Sequence, residues 1–263
     1  MTIETGNAVA LLEALVRIDS RNPTLVPGAP GEGELAMFLQ EVLSEWGLET
    51  RVQEVERGRP NVIATLRGTG NGRSLMFNGH IDTVDVAGMI HPAFDAEHRA
   101  GRVYGRGASD MKGGVAAMCA AAARLRGSIA GDLVIACVVD EEWASLGTRA
   151  LLDAGIRADA AVVTEPTNLR LMPAHKGFLW VDIAVTGRAA HGSRWDIGID
   201  AIRGAGLVLA ELDRMDRELL PRQSHRLLGR PSIHASLISG GSGMSTYPDR
   251  CVVRVERRTL PGE

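Results

Sequence analysis

Leu133-Val134-Ile135-Ala136-Cys137-Val138-Val139 is an unbroken apolar run, and Asp140-Glu141-Glu142 follows it at once. A run of strand length without alternation fits a strand buried on both faces, as in the sheet of an α/β domain. The same design recurs on either side of it. Ser74–Phe77 leads into Asn78-Gly79-His80-Ile81-Asp82, and a second buried strand predicted at 160–164 leads into Glu165. In open α/β sheets, ligands bind beyond the carboxyl ends of the strands. Three strand ends carrying imidazole and carboxylates can therefore converge on one site.

The segments around these strands support the same class. Residues 7–18 and 33–46 carry apolar residues at helical spacing, and the second run stops at Gly47, a suitable C-cap. Strands are predicted at 49–55 and 61–66, a glycine-rich turn at 68–72, and helices at 111–126 and 145–154. Near residue 173 the texture changes. Residues 178–186 alternate, as in a sheet with one face open to water. A helix at 199–217 and strands at 232–239 and 251–258 follow. That β-α-β-β order is two-thirds of a ferredoxin-like unit. The predicted domains are 1–174 and 175–263.

Composition excludes several classes. Across 263 residues, apolar types make up 45% and charged types 23%, which rules out global disorder. Lys+Arg 29 against Asp+Glu 32 gives a net charge of −3, so nothing electrostatic points to nucleic acid or an anionic membrane. No apolar run approaches the ~20 residues of a membrane helix, and no basic-then-apolar leader opens the chain. The three cysteines, Cys119, Cys137 and Cys251, lack metal-knuckle spacing and read as core residues of a reducing, cytoplasmic compartment. Only two of the basic residues are lysines, Lys112 and Lys176, which suggests local reasons for those two.

The chemistry-bearing residues are His80, Asp82, Asp110, Glu141, Glu142 and Glu165. Asp110 closes the turn Gly105-Arg106-Gly107-Ala108-Ser109-Asp110 at the start of the helix predicted from 111. Taken singly, they could be a core histidine, a helix N-cap, a solvated loop and a turn residue. Together, imidazole and carboxylates without thiolate suit Zn²⁺, Co²⁺ or Mn²⁺ in hydrolytic chemistry. A serine hydrolase finds no support, since no G-x-S-x-G elbow occurs. Neither lysine has the glycine spacing of a phosphate-binding loop.

Several segments carry a family resemblance. Gly79-His80-Ile81-Asp82-Thr83-Val84, Gly105 to Gly114, Asp140-Glu141-Glu142 and Thr164-Glu165-Pro166-Thr167 resemble the zinc aminoacylase/carboxypeptidase family. Acetylornithine deacetylase, succinyl-diaminopimelate desuccinylase and glutamate carboxypeptidase are members. Further on, His175-Lys176-Gly177, Gly187 to Ser193 and Arg257 to Gly262 match as well. Both lysines fall inside these motifs. The resemblance implies a mixed-sheet, zinc-peptidase-like catalytic domain with an inserted ferredoxin-like α+β lid and dimerisation domain. It also implies cleavage of an amide bond in an N-acyl amino acid or small peptide.

Residue roles follow from the resemblance. His80, Asp110 and Glu165 would hold one metal, and Asp110 and Glu142 a second. Asp82 would orient the His80 ring, and Glu141 would be the general base. Both Glu141 and Glu142 can face the site only if the chain bends between strand and loop. His191 would stabilise the oxyanion in the partner subunit of a homodimer. Arg257 or Arg258 would clamp a substrate carboxylate, alternation letting one of the two face inward. Ser245, within Gly240 to Pro248, would contact substrate.

One family feature has no counterpart in this sequence. The second metal normally takes a further histidine, and none lies beyond His234. Its count stays at Asp110 and Glu142, a weak zinc site. The lid pattern likewise lacks its last helix and strand. The expectation is a fragment or shortened version, with both domains incomplete at the C-terminus and little or no turnover. The alternative is a catalytically impaired or inactive homologue that serves only as a dimerising or metal-binding module.

Overall fold

The structure is a computed structural model that describes residues 3–263. The chain divides into two compact units, one ending at Leu169 and one running Arg170–Glu263.

The first unit opens with α1 (Ala8–Arg17), α2 (Gly33–Glu45), β1 (Glu49–Glu56), β2 (Arg59–Leu66) and β3 (Leu75–His80). It continues with β4 (Glu97–Arg99), β5 (Arg102–Tyr104), α3 (Lys112–Arg124), β6 (Leu133–Val138), α4 (Leu146–Asp153) and β7 (Ala160–Val163). Five strands form one mixed sheet in the order β1-β2-β6-β3-β7. β1, β2 and β6 pair antiparallel, whereas β6, β3 and β7 run parallel. The three parallel strands are thus adjacent, and their carboxyl ends leave the sheet along one edge.

The run at 133–139 behaves as its sequence implies. Along β6, Ile135 and Cys137 join a core cluster with α1, α2 and α3, while Ala136 and Val138 join a second cluster with Leu151 of α4. A strand buried on both faces needs apolar residues at every position.

Two readings need correction. Ala160–Val163 is not a buried strand: Val162 and Val163 are 45% and 57% exposed. β7 is the outer strand of its sheet, paired among the described residues with β3 alone. The β4–β5 hairpin is also absent from the sequence reading. Its turn, Ala100-Gly101, has positive φ at both positions. Asn-Gly would have announced such a turn, and alanine does not.

Close backbone approach explains the glycines after Lys112. A Cβ at Gly114 would lie 2.1 Å from the Thr164 carbonyl oxygen. Only glycine lets α3 meet the end of β7 this closely, which brings the segment holding Asp110 beside Glu165. Lys112 is buried, and its Nζ donates to the Leu15 and Ile18 carbonyls at 2.9 and 2.8 Å. It closes the carboxyl end of α1, where orphan carbonyls favour a cation. Burial pulls its pKa down to about 7, with Asp19 opposing.

The second unit comprises β8 (Gly177–Thr186), α5 (Ala201–Arg214), a π-helical turn (Met215–Leu219), a 3₁₀ turn (Leu220–Arg222), β9 (Ser232–Gly240) and β10 (Arg250–Thr259). The antiparallel sheet has the order β8-β10-β9. Ala201 and Ala205 of α5 pack on Cys251, Val253 and Val255 of β10, with Ile183 and Val185 of β8 against them. The predicted one-sided burial of 178–186 holds only at that end. Phe178 and Trp180 are 49% and 53% exposed, and Leu179 and Val181 on the opposite face are exposed too. The apolar cluster under α5 reaches only as far as Ile183, so the first half of β8 lies beyond it. All three cysteines are free and buried, as the sequence implied.

Candidate metal centre

His80 ends β3 and is 2% exposed. Its Nδ1 lies 3.0 Å from the Asp82 carbonyl oxygen and 3.4 Å from Asp82 Oδ1. Its Nε2 faces the other way, toward three carboxylates: Asp110 Oδ1 at 3.0 Å, Glu165 Oε1 at 3.6 Å and Glu141 Oε2 at 3.8 Å. One ring nitrogen is thus held from behind while the other points into a cluster of acids, the usual arrangement of a metal-ligating histidine.

The bend after β6 is present. Asp140 has φ 64, and its carbonyl accepts N–H bonds from Ala144 and Ser145 at 3.2 and 2.6 Å. This tight turn swings Glu141 and Glu142 to the same side. Their backbone N–H groups donate to Asp82 Oδ1 and Oδ2 at 3.0 and 3.2 Å. Asp82 therefore anchors both the His80 ring and the peptide that carries the two glutamates.

Ligand atoms of His80, Asp110 and Glu142 all lie within 4.8 Å of one another, and so do those of His80, Glu141 and Glu165. The two trios share His80. All five residues named from the sequence for metal binding and base chemistry come together, along with Asp82.

The charge balance of the cluster favours a cation. Burial, reinforced by Asp110 and other neighbouring acids, pushes Glu142 and Glu165 up to about 7, with His80 opposing. Burial also raises Glu141. Burial disfavours a charged His80, but the bond to Asp110 and the nearness of Asp82 and Glu165 outweigh it and push its pKa up to about 11. The bond to His80 holds Asp110 low. An acid cluster that retains protons in this way exchanges them for a divalent ion. The donor set, nitrogen plus carboxylate oxygens, fits zinc or cobalt.

This charge balance predicts a pH dependence. Glu142, Glu165 and His80 each bind protons more tightly in the folded chain than in the unfolded one. Stability without metal therefore falls as pH rises from about 5 to 8, where the unfolded groups release protons first. Added Zn²⁺ or Co²⁺ offsets the repulsion, so the metal-induced rise in Tm is larger at pH 8 than at pH 5. Thermal unfolding at the two pH values checks this, and equal rises would contradict the site.

The residues behind Asp82 carry no mark in the sequence. Asn22 Nδ2 donates to Asp82 Oδ2 at 2.8 Å and to Asp140 Oδ1 at 3.0 Å. Arg59 forks onto Glu32 at 2.8 and 2.7 Å and reaches Asp140 Oδ1 at 3.0 Å. Asn22, Glu32, Arg59, Asp82 and Asp140 are all buried. Glu32 and Arg59 lie on other elements, and no spacing in the sequence links them to the strand ends.

The remaining candidates lie in the second unit. His191 is paired with Thr246, and the Gly192 N–H donates to the Ser245 carbonyl at 2.8 Å, so the His191 and Ser245 loops adjoin. His191 Nδ1 lies 2.9 Å from Ser193 Oγ. Arg257 and Arg258 are not beside them. They sit seven and eight residues into β10, roughly 24 Å or more from its start at ~3.4 Å per residue. Arg257 pairs with Glu263 at 2.9 Å, while Arg258 pairs with Glu256 at 2.7 Å and lies over the Phe178 ring.

Residues 76–253 match the family model described as peptidase family M20/M25/M40. The chain belongs to that family. An acetylornithine deacetylase of Myxococcus xanthus is 31% identical across 97% of this M20 chain, which spans 67% of that protein. A probable succinyl-diaminopimelate desuccinylase of Staphylococcus epidermidis is 25% identical, with 96% and 68% covered. Among solved structures, an M20 metallo-carboxypeptidase from Sulfolobus solfataricus superposes with a TM-score of 0.75 at 18% identity, over 98% of this chain and 72% of that one. A tripeptidase from Staphylococcus aureus gives 0.73 at 20% identity, over 99% and 68%. At these identities the structures establish the shared fold. No helix among the described residues is long and apolar enough to cross a membrane.

Proposed function

We propose that this M20 chain is a metal-dependent hydrolase that cleaves the amide bond of an N-acyl amino acid or a small peptide. What carries the reading is the convergence of His80, Asp110, Glu141, Glu142 and Glu165 at the carboxyl ends of parallel strands, in a chain of this family. His80, Asp110 and Glu165 would hold one Zn²⁺ or Co²⁺, and Asp110 and Glu142 would hold a second more weakly. Bound ions of this kind acidify water and polarise a scissile carbonyl. Asp82 fixes the His80 ring. Glu141 takes the proton of the attacking water on a carboxylate oxygen and delivers it to the leaving amine nitrogen.

The second unit acts as a lid and homodimer contact. From it, His191 stabilises the oxyanion across the dimer, Ser245 contacts substrate, and Arg257 or Arg258 clamps its carboxylate. Free, buried cysteines accord with a cytoplasmic setting. Two relatives are named for removing an acetyl or a succinyl group, so acylated amines lead the substrate panel.

The test is amine release from N-acetylornithine, N-succinyl-diaminopimelate and a tripeptide by the cobalt- or zinc-loaded chain. Metal-dependent release, slow and abolished by a chelator, is expected for at least one of them. Bound metal without release from any would favour a module that binds metal and dimerises without turnover. The observation on that side is that the two trios share one imidazole, His80, so a second ion held by Asp110 and Glu142 has no nitrogen donor of its own among the described residues.

A further inference from the structure

Behind the acid cluster lies a buried polar chain of which only the last member, Asp82, has a role in the reaction proposed above. It begins at Glu56 on the surface, passes through Arg59 to Glu32 and Asp140, and continues through Asn22 to Asp82. Each link bears on the geometry of the glutamates. Asp140 sits at the left-handed position of the bend, and its N–H donates to Glu32 Oε1 at 3.2 Å. Its Oδ1 takes both Asn22 and Arg59, while Oδ2 has no partner among the described residues. Burial works against the Arg59 charge, but Glu32, Asp140 and Glu56 hold it protonated.

Asn22 is fixed from three sides. Its Oδ1 accepts the Thr24 N–H at 3.0 Å, which leaves both amide hydrogens for Asp82 and Asp140. Its own N–H donates to the Thr83 carbonyl at 2.8 Å, which ties this loop alongside the end of β3. A single amide therefore joins the carboxylate under His80 to the carboxylate at the bend that aims Glu141 and Glu142. The two acids repel each other, and among the described residues no other side chain donates to both.

We infer that Asn22, backed by Arg59, is the positioning residue that sets the metal-facing geometry of His80, Glu141 and Glu142 by clamping Asp82 to Asp140. The inference rests on the metal-centre reading above. Asn22 touches neither metal nor substrate and acts through Asp82.

Two measurements on Asn22→Leu and Asn22→Ser test it, with Glu45→Gln, an exposed position on α2 outside this chain of bonds, as the control. The first is Co²⁺ titration followed by the visible spectrum. Losing an outer partner of a metal site costs roughly 10–100-fold in affinity. Asn22→Leu, which loosens that partner, Asp82, should show up to that loss and Asn22→Ser a smaller one, with Glu45→Gln unchanged. A residue with only a structural role would lower Tm and leave the affinity of the folded protein as it was. The second is amide hydrogen exchange of the metal-free chain. Residues 140–145 should exchange faster in Asn22→Leu while β2 and β6 stay protected. Wild-type cobalt affinity and wild-type exchange at 140–145 in the Asn22 variants would overturn the inference. If Asn22→Leu fails to fold, Asn22→Ser alone decides it. If unaltered protein binds no Co²⁺, the metal reading falls on its own account, and the exchange comparison still decides this one.

Discussion

Changing Glu141 to Gln lowers turnover by the metal-loaded chain by about 10²–10⁴-fold, the usual contribution of a positioned general base. The substitution keeps the size and hydrogen-bonding shape of the side chain and removes only its capacity to take a proton. The chain position survives, because the Glu141 N–H is held by Asp82 Oδ1 and not by the side chain. The Glu141 carboxylate reaches to 3.8 Å from His80 Nε2 and faces the same space as Glu165. Burial raises its affinity for a proton, which suits a group that must accept one and release it in each cycle. The metal should stay bound, since Asp110, Glu142, Glu165 and His80 are untouched. Steady-state amine release with parallel metal analysis checks the prediction. Unchanged turnover would remove Glu141 from the chemistry. Loss of metal in step with activity would make it a ligand instead.

Changing His80 to Ala abolishes tight cobalt binding. The imidazole is the only nitrogen donor in either trio, so its loss leaves carboxylates alone, a set that suits magnesium or calcium better than zinc. The fall in affinity should exceed the roughly 10–100-fold cost of removing an outer partner. The variant also removes the cation that offsets Asp82 and Asp110 in the metal-free protein. Its Tm is therefore lower, and added zinc no longer raises it. Cobalt titration should show one tight equivalent for the unaltered chain, supplied by His80, Asp110 and Glu165, and none for the variant. Undiminished affinity in His80→Ala would sink the assignment of this centre.

Much of the molecule is legible in its sequence because its signals are local. The unbroken run at 133–139 announces a strand with two dry faces, and β6 has them. The acids and the histidine stand within a few residues of predicted strand ends, so one rule about sheet edges collects them. Where the local signal misled, a missing neighbour was the cause. Ala160–Val163 is as apolar as a central strand, yet it lies at the rim of its sheet. Residues 178–181 lie past the reach of the cluster beneath α5. Nothing within a strand's own residues tells how many strands flank it.

The sequence by itself determined the α/β class, the residues of the acid cluster and the family. These depend on residue types at short spacings along the chain. Only the tertiary structure decided that Asp140 turns left-handed so that both glutamates face His80. It alone decided that Asn22, Glu32 and Arg59 stand behind Asp82, and that Arg257 and Arg258 lie far along β10 from the His191 loop. Those facts join groups separated by as many as 118 positions in the chain. Such distances close only when the sheet order is fixed, and sheet order is set by long-range packing rather than by local pattern.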